Sequence, residues 1–90
     1  MKAKFRLGTL VATPGAVDAA PSQQALIDLV IQRHQHGDWG DLDAHDKEAN
    51  DRAVTEGDRI LSAYELLGTR FWVITEADRS QTTILLPEEY

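Results

Sequence analysis

Between Arg59 and Leu86, three runs rich in β-branched and aromatic residues are separated by only two short turn signals, Leu67-Gly68-Thr69 and Ala77-Asp78-Arg79-Ser80. Connections this short force consecutive strands to lie side by side and antiparallel. The pattern predicts strands over Arg59–Leu67, Arg70–Glu76 and Gln81–Leu86, ended by Pro87. Upstream, Phe5, Leu7, Thr9 and Val11 alternate along one more strand, Phe5 to Thr13, which Thr13-Pro14-Gly15 stops. Ala16 to Ala20 fits a helical turn before Pro21. Ser22 then caps a helix from about Gln23 to about Gln35. Its apolar stripe is Leu26, Ile27, Leu29, Val30 and Ile31, with His34 continuing one side and Gly37 closing the end. A second helix, capped by Asp43 or Asp41, runs to about Glu56 and closes at Gly57. It offers only Ala44, Ala49, Ala53 and Val54 to a core, so it should lie shallowly. The order β-α-α-β-β-β predicts an α+β fold, a four-stranded, mainly antiparallel sheet with both main helices on one face. The place of the first strand is left open, because both helices separate it from the second.

Ninety residues (1–90) suit a single α+β domain. The chain opens on Met1 and closes on Tyr90, as expected of a whole gene product. There is no cysteine, which removes disulfides, thiolate metal sites and thiol catalysis. A secreted domain this small more often carries a disulfide, so a cytoplasmic setting is expected. No apolar run approaches the roughly 18 residues of a membrane span. The basic start (Lys2, Lys4, Arg6) is followed by a strand pattern and not by a signal peptide's apolar stretch.

The net charge of −6 is concentrated in one place. Between Gly37 and Asp58 stand Asp38, Asp41, Asp43, Asp46, Glu48, Asp51, Glu56 and Asp58, opposed only by Lys47 and Arg52. Elsewhere acids and bases cancel, seven against seven. A phosphate backbone needs the opposite sign, so direct nucleic-acid binding is not expected; a basic protein surface fits better. The candidate binding residues are Asp38, Trp39, Asp41, Asp43, Asp46 and Glu48. Trp39, between two glycines in an acidic loop, either anchors a partner or folds back to plug the corner between the helices. The second fate is the commoner one.

Catalytic and metal signatures are not found. His34, His36 and His45 lie among carboxylates, but their spacing matches neither HExxH nor the His-x-His metalloprotease pattern, and no metal site is expected. Asp41-x-Asp43-x-His45-Asp46 starts like a calcium loop, yet Asp46 stands where glycine is required and Arg52 where the bidentate acid belongs. Glu65, Glu76 and Asp78, and the hydroxyls of Ser62, Thr75 and Ser80, follow no catalytic spacing. There is no P-loop, dinucleotide fingerprint or nucleophile elbow, so neither enzymatic activity nor a cofactor is expected.

The strings Gly37-Asp38-Trp39-Gly40-Asp41-Leu42, Arg59-Ile60-Leu61-Ser62-Ala63-Tyr64, Ile74-Thr75-Glu76-Ala77-Asp78-Arg79-Ser80 and Thr82-Thr83-Ile84-Leu85-Leu86-Pro87-Glu88-Glu89-Tyr90 resemble a family of short, uncharacterised bacterial proteins labelled plasmid-related. The likeness runs from about Phe5 onward. Some members carry a label linking them to restriction–modification subunits, but this chain is too short for a methyltransferase and lacks a cofactor-binding glycine loop. The resemblance implies a protein of a bacterial mobile element. The order β-α-α-β-β-β is also similar to that of RelE-like toxins, ribosome-dependent nucleases that are typically basic. That resemblance points to Arg59, Tyr64, Arg70, Arg79 and Tyr90, and the acidic middle segment departs from it.

The expected function is therefore non-enzymatic binding of a basic partner by the acidic loop and helix. The alternatives are a RelE-like ribonuclease or degenerate relative, and an acidity that only solvates the surface. On the binding reading, reversing Asp38, Asp41, Asp46 and Glu48 to lysine should abolish capture and leave the fold intact. Both faces of the predicted meander are apolar, while only one strongly apolar helix is available as cover. A homodimer, or a partner on the exposed sheet face, is expected.

Overall fold

The computed structural model describes residues 2–90. Three strands, β2 (Ile60–Leu66), β3 (Thr69–Thr75) and β4 (Gln81–Leu85), form the predicted antiparallel meander. Leu66 pairs with Thr69, so only Leu67 and Gly68 make the first turn, both left-handed at φ 52° and 77°. Two left-handed residues define the turn whose twist matches a hairpin. The second turn is held by Asp78, whose carboxylate accepts the Ser80 N–H, and by left-handed Arg79 at φ 61°.

β1 covers only Thr9–Ala12, shorter than the predicted Phe5–Thr13. Gly8 ends it: at φ 66° its Cα lies so close to the Ser80 backbone that a Cβ would sit 2.3 Å from the Ser80 carbonyl. The chain kinks there, and Phe5 leaves the sheet to stack on Trp39 at 6.1 Å. β1 pairs in parallel with β4, Thr9 opposite Gln81, giving the order β1-β4-β3-β2. The strand that the sequence left unplaced is thus an edge strand. Thr13 caps α1 (Pro14–Ala19), with Pro14 in the first turn, where its missing N–H costs nothing.

Residues 23–35 form one helix, α2, in three consecutive parts: Gln23–Leu26, Ile27–Ile31 and Gln32–Gln35. The Ser22 side chain caps it by accepting the Ala25 N–H. The middle part widens to π geometry, the Gln32 N–H bonding the Ile27 carbonyl five residues back. Leu26, Val30, Ile31 and His34 face the sheet, while Leu29, expected in the stripe, points out. They meet Tyr64, Phe71, Val73 and Ile84, neighbours on one face by strand register.

Beneath His34 that face carries three hydroxyls in place of apolar side chains. Ser62 Oγ lies 2.6 Å from His34 Nδ1, and Thr75 Oγ1 lies 2.9 Å from Nε2. Thr75 Oγ1 is in turn 2.7 Å from Thr82 Oγ1, which donates to the Leu7 carbonyl. With the Thr82 proton spent on Leu7, the remaining protons can run only one way. Thr75 donates to Thr82, His34 donates from Nε2 to Thr75, and Ser62 donates to Nδ1. All four side chains are fully buried.

α3 (Ala44–Glu56) begins at Asp43, whose carboxylate accepts the Asp46 N–H, and ends at left-handed Gly57. Only Asn50 and Ala53 of the helix are buried. Ala53 packs on Ile60 and Trp39, so α3 lies on the α2 side of the sheet, at its β2 border. On the opposite face Ala63, Ile74 and Leu85 are nevertheless buried within the single chain. Tyr90 meets Trp72 edge-on at 5.6 Å there, and the Arg59 guanidinium lies over the Tyr90 ring at 5.5 Å. Among the described residues no helix is long and apolar enough to cross a membrane.

Burial, then the nearby Arg79 cation, lowers the His34 pKa to about 3. The unfolded chain takes up a proton below about pH 6.5, whereas the folded one resists, so stability is full above that value and falls as pH drops. We expect the urea midpoint to decrease between pH 7 and pH 5 by the equivalent of about 2 kcal/mol, at ~1.4 kcal/mol per pH unit. His34→Gln, less stable at pH 7, should lose most of this slope. An unchanged slope in that variant would place the titrating group elsewhere.

Candidate binding surface

The acidic segment from Gly37 to Asp58 follows α2 and leads through α3 to the start of β2. Its first part docks on the outer edge of β2. The Ala63 N–H donates to the Trp39 carbonyl at 3.3 Å, and the Asp41 N–H donates to the Ala63 carbonyl at 2.7 Å. Gly40 permits this approach: a Cβ there would fall 1.9 Å from the Ala63 carbonyl oxygen. Two turns into the helix that follows, Asn50 copies a strand. Its amide donates to the Leu61 carbonyl at 2.7 Å and its oxygen accepts the Leu61 N–H at 3.3 Å. The outer backbone of β2 is thereby satisfied by a loop and a side chain.

The six candidate binding residues divide into two groups. Asp38 accepts from Arg33 Nε at 2.6 Å and from the Gly40 N–H at 3.1 Å. The Arg33 guanidinium beside it holds its carboxyl below the usual range. Its backbone carbonyl accepts the Tyr64 hydroxyl at 2.6 Å, and Arg33 lies over the Tyr64 ring. Burial in turn raises the Tyr64 pKa. Asp41 accepts the Glu65 N–H at 2.9 Å, and Asp43 caps α3. Trp39 is buried, its indole N–H donating to Asp51 at 2.9 Å. It plugs the corner and offers no surface, and its partner is a carboxylate of α3. Asp46 and Glu48 form the second group, exposed on the first turns of α3. Glu56 and Asp58 continue that exposure at the helix end. Among the described residues no hydrogen bond or ion pair engages the side chains of Glu48, Glu56 or Asp58.

This division corrects the design of the charge reversal. Asp38 and Asp41 hold backbone in place, so replacing them cannot leave the fold untouched. Sequence patterning gave no sign of the difference, since all eight carboxylates look alike until the loop is seen against β2.

Asp43, His45 and Asp46 offer ligand atoms within 4.8 Å of one another, all three exposed. His34 lies far inside, and the His36 imidazole reaches the Gln32 carbonyl at 2.7 Å. The contact between Ser62 and His34 has the reach of a nucleophile and its base. Both residues are wholly buried, so no substrate can approach the hydroxyl.

Four of the five residues suggested by the RelE-like order are also engaged in the fold. Arg79 donates to the carbonyls of Asp58, Glu76, Ala77 and Ala53, tying the end of α3 to the β3–β4 turn. Tyr64 is core. Arg59 is held by the Tyr90 hydroxyl and, at 3.9 Å, by Glu76. Arg70 stands opposite Glu65 on the hairpin. No family model, curated protein or solved structure matches this chain.

α3 is attached to the sheet by a few polar contacts more than by apolar area. Asn50→Ala should leave the Leu61 N–H and C=O unpaired and destabilise the protein by about 1–3 kcal/mol. Hydrogen exchange should show protection lost across α3 and retained in β3 and β4. Uniform loss, or none, would contradict this account.

Proposed function

We propose that this protein is a non-enzymatic binding protein that presents the exposed face of α3 to a basic protein surface. The observation that carries the reading is the set of carboxylates left over once the fold has used its own. Asp38, Asp41, Asp43 and Asp51 each fasten a loop, a cap or an indole. Asp46, Glu48, Glu56 and Asp58 remain exposed, with Arg52 and Lys47 as the only cations in the segment. Glu48 stands three residues from Asp51, a spacing at which like charges on a helix cost a few tenths of a kcal/mol, and α3 buries too little to favour it. Binding to a cationic surface gives that cost a return. On this reading the partner is a cytoplasmic protein of a bacterial mobile element, in keeping with the plasmid-related resemblance and the lack of cysteine.

The test uses only exposed acids whose side chains hold no backbone. Immobilised protein should retain a basic host protein at low salt and release it as salt rises, since screening weakens an exposed charge pairing. Asp46→Lys, Glu48→Lys and Glu56→Lys combined should abolish retention while the circular dichroism spectrum and thermal midpoint stay near wild type. Retention of the same protein, with the same salt dependence, by the triple variant would show that the acidity only solvates the surface.

A further inference from the structure

The two borders of the sheet are treated in opposite ways. At β2 the outer backbone is met by residues 39–41 and by Asn50. At β1 nothing comparable is present among the described residues. Thr9 and Thr13 donate inward, to the Ser80 and Ile84 carbonyls at 3.0 Å each. By the alternation of a strand, the N–H and C=O groups of Leu10 and Ala12 then point outward, and the sheet has no strand beyond β1. Exposed edges are usually guarded by charge, proline or a bulge. Thr9-Leu10-Val11-Ala12 has none of these within the strand. Leu10 and Val11, on opposite faces, are 39% and 37% exposed. An apolar cleft of about 220 Å³ runs alongside, between Leu10 and Ala12 of the strand and Leu26 and Ile27 of α2.

We propose that this edge is an interface with a second copy of the chain. The β1 strands pair antiparallel about a two-fold axis, joining two four-stranded sheets into one. Charge selects this occupant. All of the net charge of −6 lies between Gly37 and Asp58, on the β2 side. Two copies joined at β1 hold their β2 strands seven strand spacings apart, roughly 34 Å, several times the ~8 Å screening length at physiological salt. Self-association at this edge is therefore free of the repulsion that any approach through the acidic side would meet. The strand itself is uncharged and β-forming, so its best match about a two-fold axis is its own sequence. A basic partner is served by the opposite side of the molecule, and the two associations are independent. The dimer expected on the sheet face from sequence moves to the edge, because the apolar residues Ala63, Ile74 and Leu85 of that face are already buried.

The test is sedimentation equilibrium combined with inter-copy distances. Wild type should dimerise, and Leu10→Lys, which sets a cation at the two-fold contact, should weaken association at least about tenfold, or 1.4 kcal/mol. Far-UV circular dichroism and thermal melting report whether that variant stays folded. Single nitroxide labels on Thr9→Cys, Leu67→Cys and Glu48→Cys then locate the contact without relying on it. The chain has no native cysteine to interfere. A short inter-copy distance is expected from position 9 only, with position 48 giving the longest. A monomer at concentrations up to about 1 mM, the weak end of specific association, overturns the proposal. So does a dimer in which position 48 or 67 is close and position 9 remote.

Discussion

An imidazole buried between a helix and a sheet must have both nitrogens matched, because an unmet buried polar group costs about 1–3 kcal/mol. His34 meets that demand with hydroxyls from two strands, and a third strand and the N-terminal segment complete the relay. The consequence for the architecture is directional. Each hydroxyl has one proton to give, so fixing the last bond, from Thr82 to Leu7, fixes all the others. α2, β2, β3, β4 and the segment before β1 are thereby set in one register. An apolar core of the same size would hold these pieces together without specifying how they sit.

Around this relay the aromatic side chains sort themselves. Phe5 meets the His34 ring edge-on at 5.2 Å and stacks on Trp39, while Arg79 lies over the outer side of Phe5 at 5.7 Å. The same Arg79 cation helps to keep His34 neutral and fastens α3 through the Ala53 carbonyl. The weakly apolar helix is therefore attached to the most constrained part of the molecule by polar contacts. Its solvent-facing carboxylates can vary without disturbing that attachment.

Local rules were enough for much of this fold. The two turn signals between Arg59 and Leu86, the Ser22 cap and the glycine ends at Gly37 and Gly57 all act over a few residues and are found where the sequence places them, and of the two caps open to α3 the structure uses Asp43. What escaped depends on distant partners. The parallel pairing of β1 with β4 joins residues from opposite ends of the chain, and nothing near Thr9 announces it. The early end of β1 comes from the contact between Gly8 and Ser80. His34 reads only as a continuation of the apolar stripe, because the hydroxyls that match its two nitrogens lie on two distant strands. The π turn that rearranges α2 has no single-residue signature. At the surface, sequence could count the carboxylates but could not separate those that hold backbone from those that do not.

The relay also ties completion of the core to the order of synthesis. Leu7 is made before His34, and Thr82 well after both. Thr9 and Gln81, the first pair of the parallel ladder, must close a loop of about seventy residues, the kind of contact that forms slowly. A nascent chain can therefore fold α2 from local signals alone, but its histidine has no finished set of partners until β4 exists. The protein commits to its native interior only once β4 has been made, and until then α2 is a ligand waiting for a strand still to come.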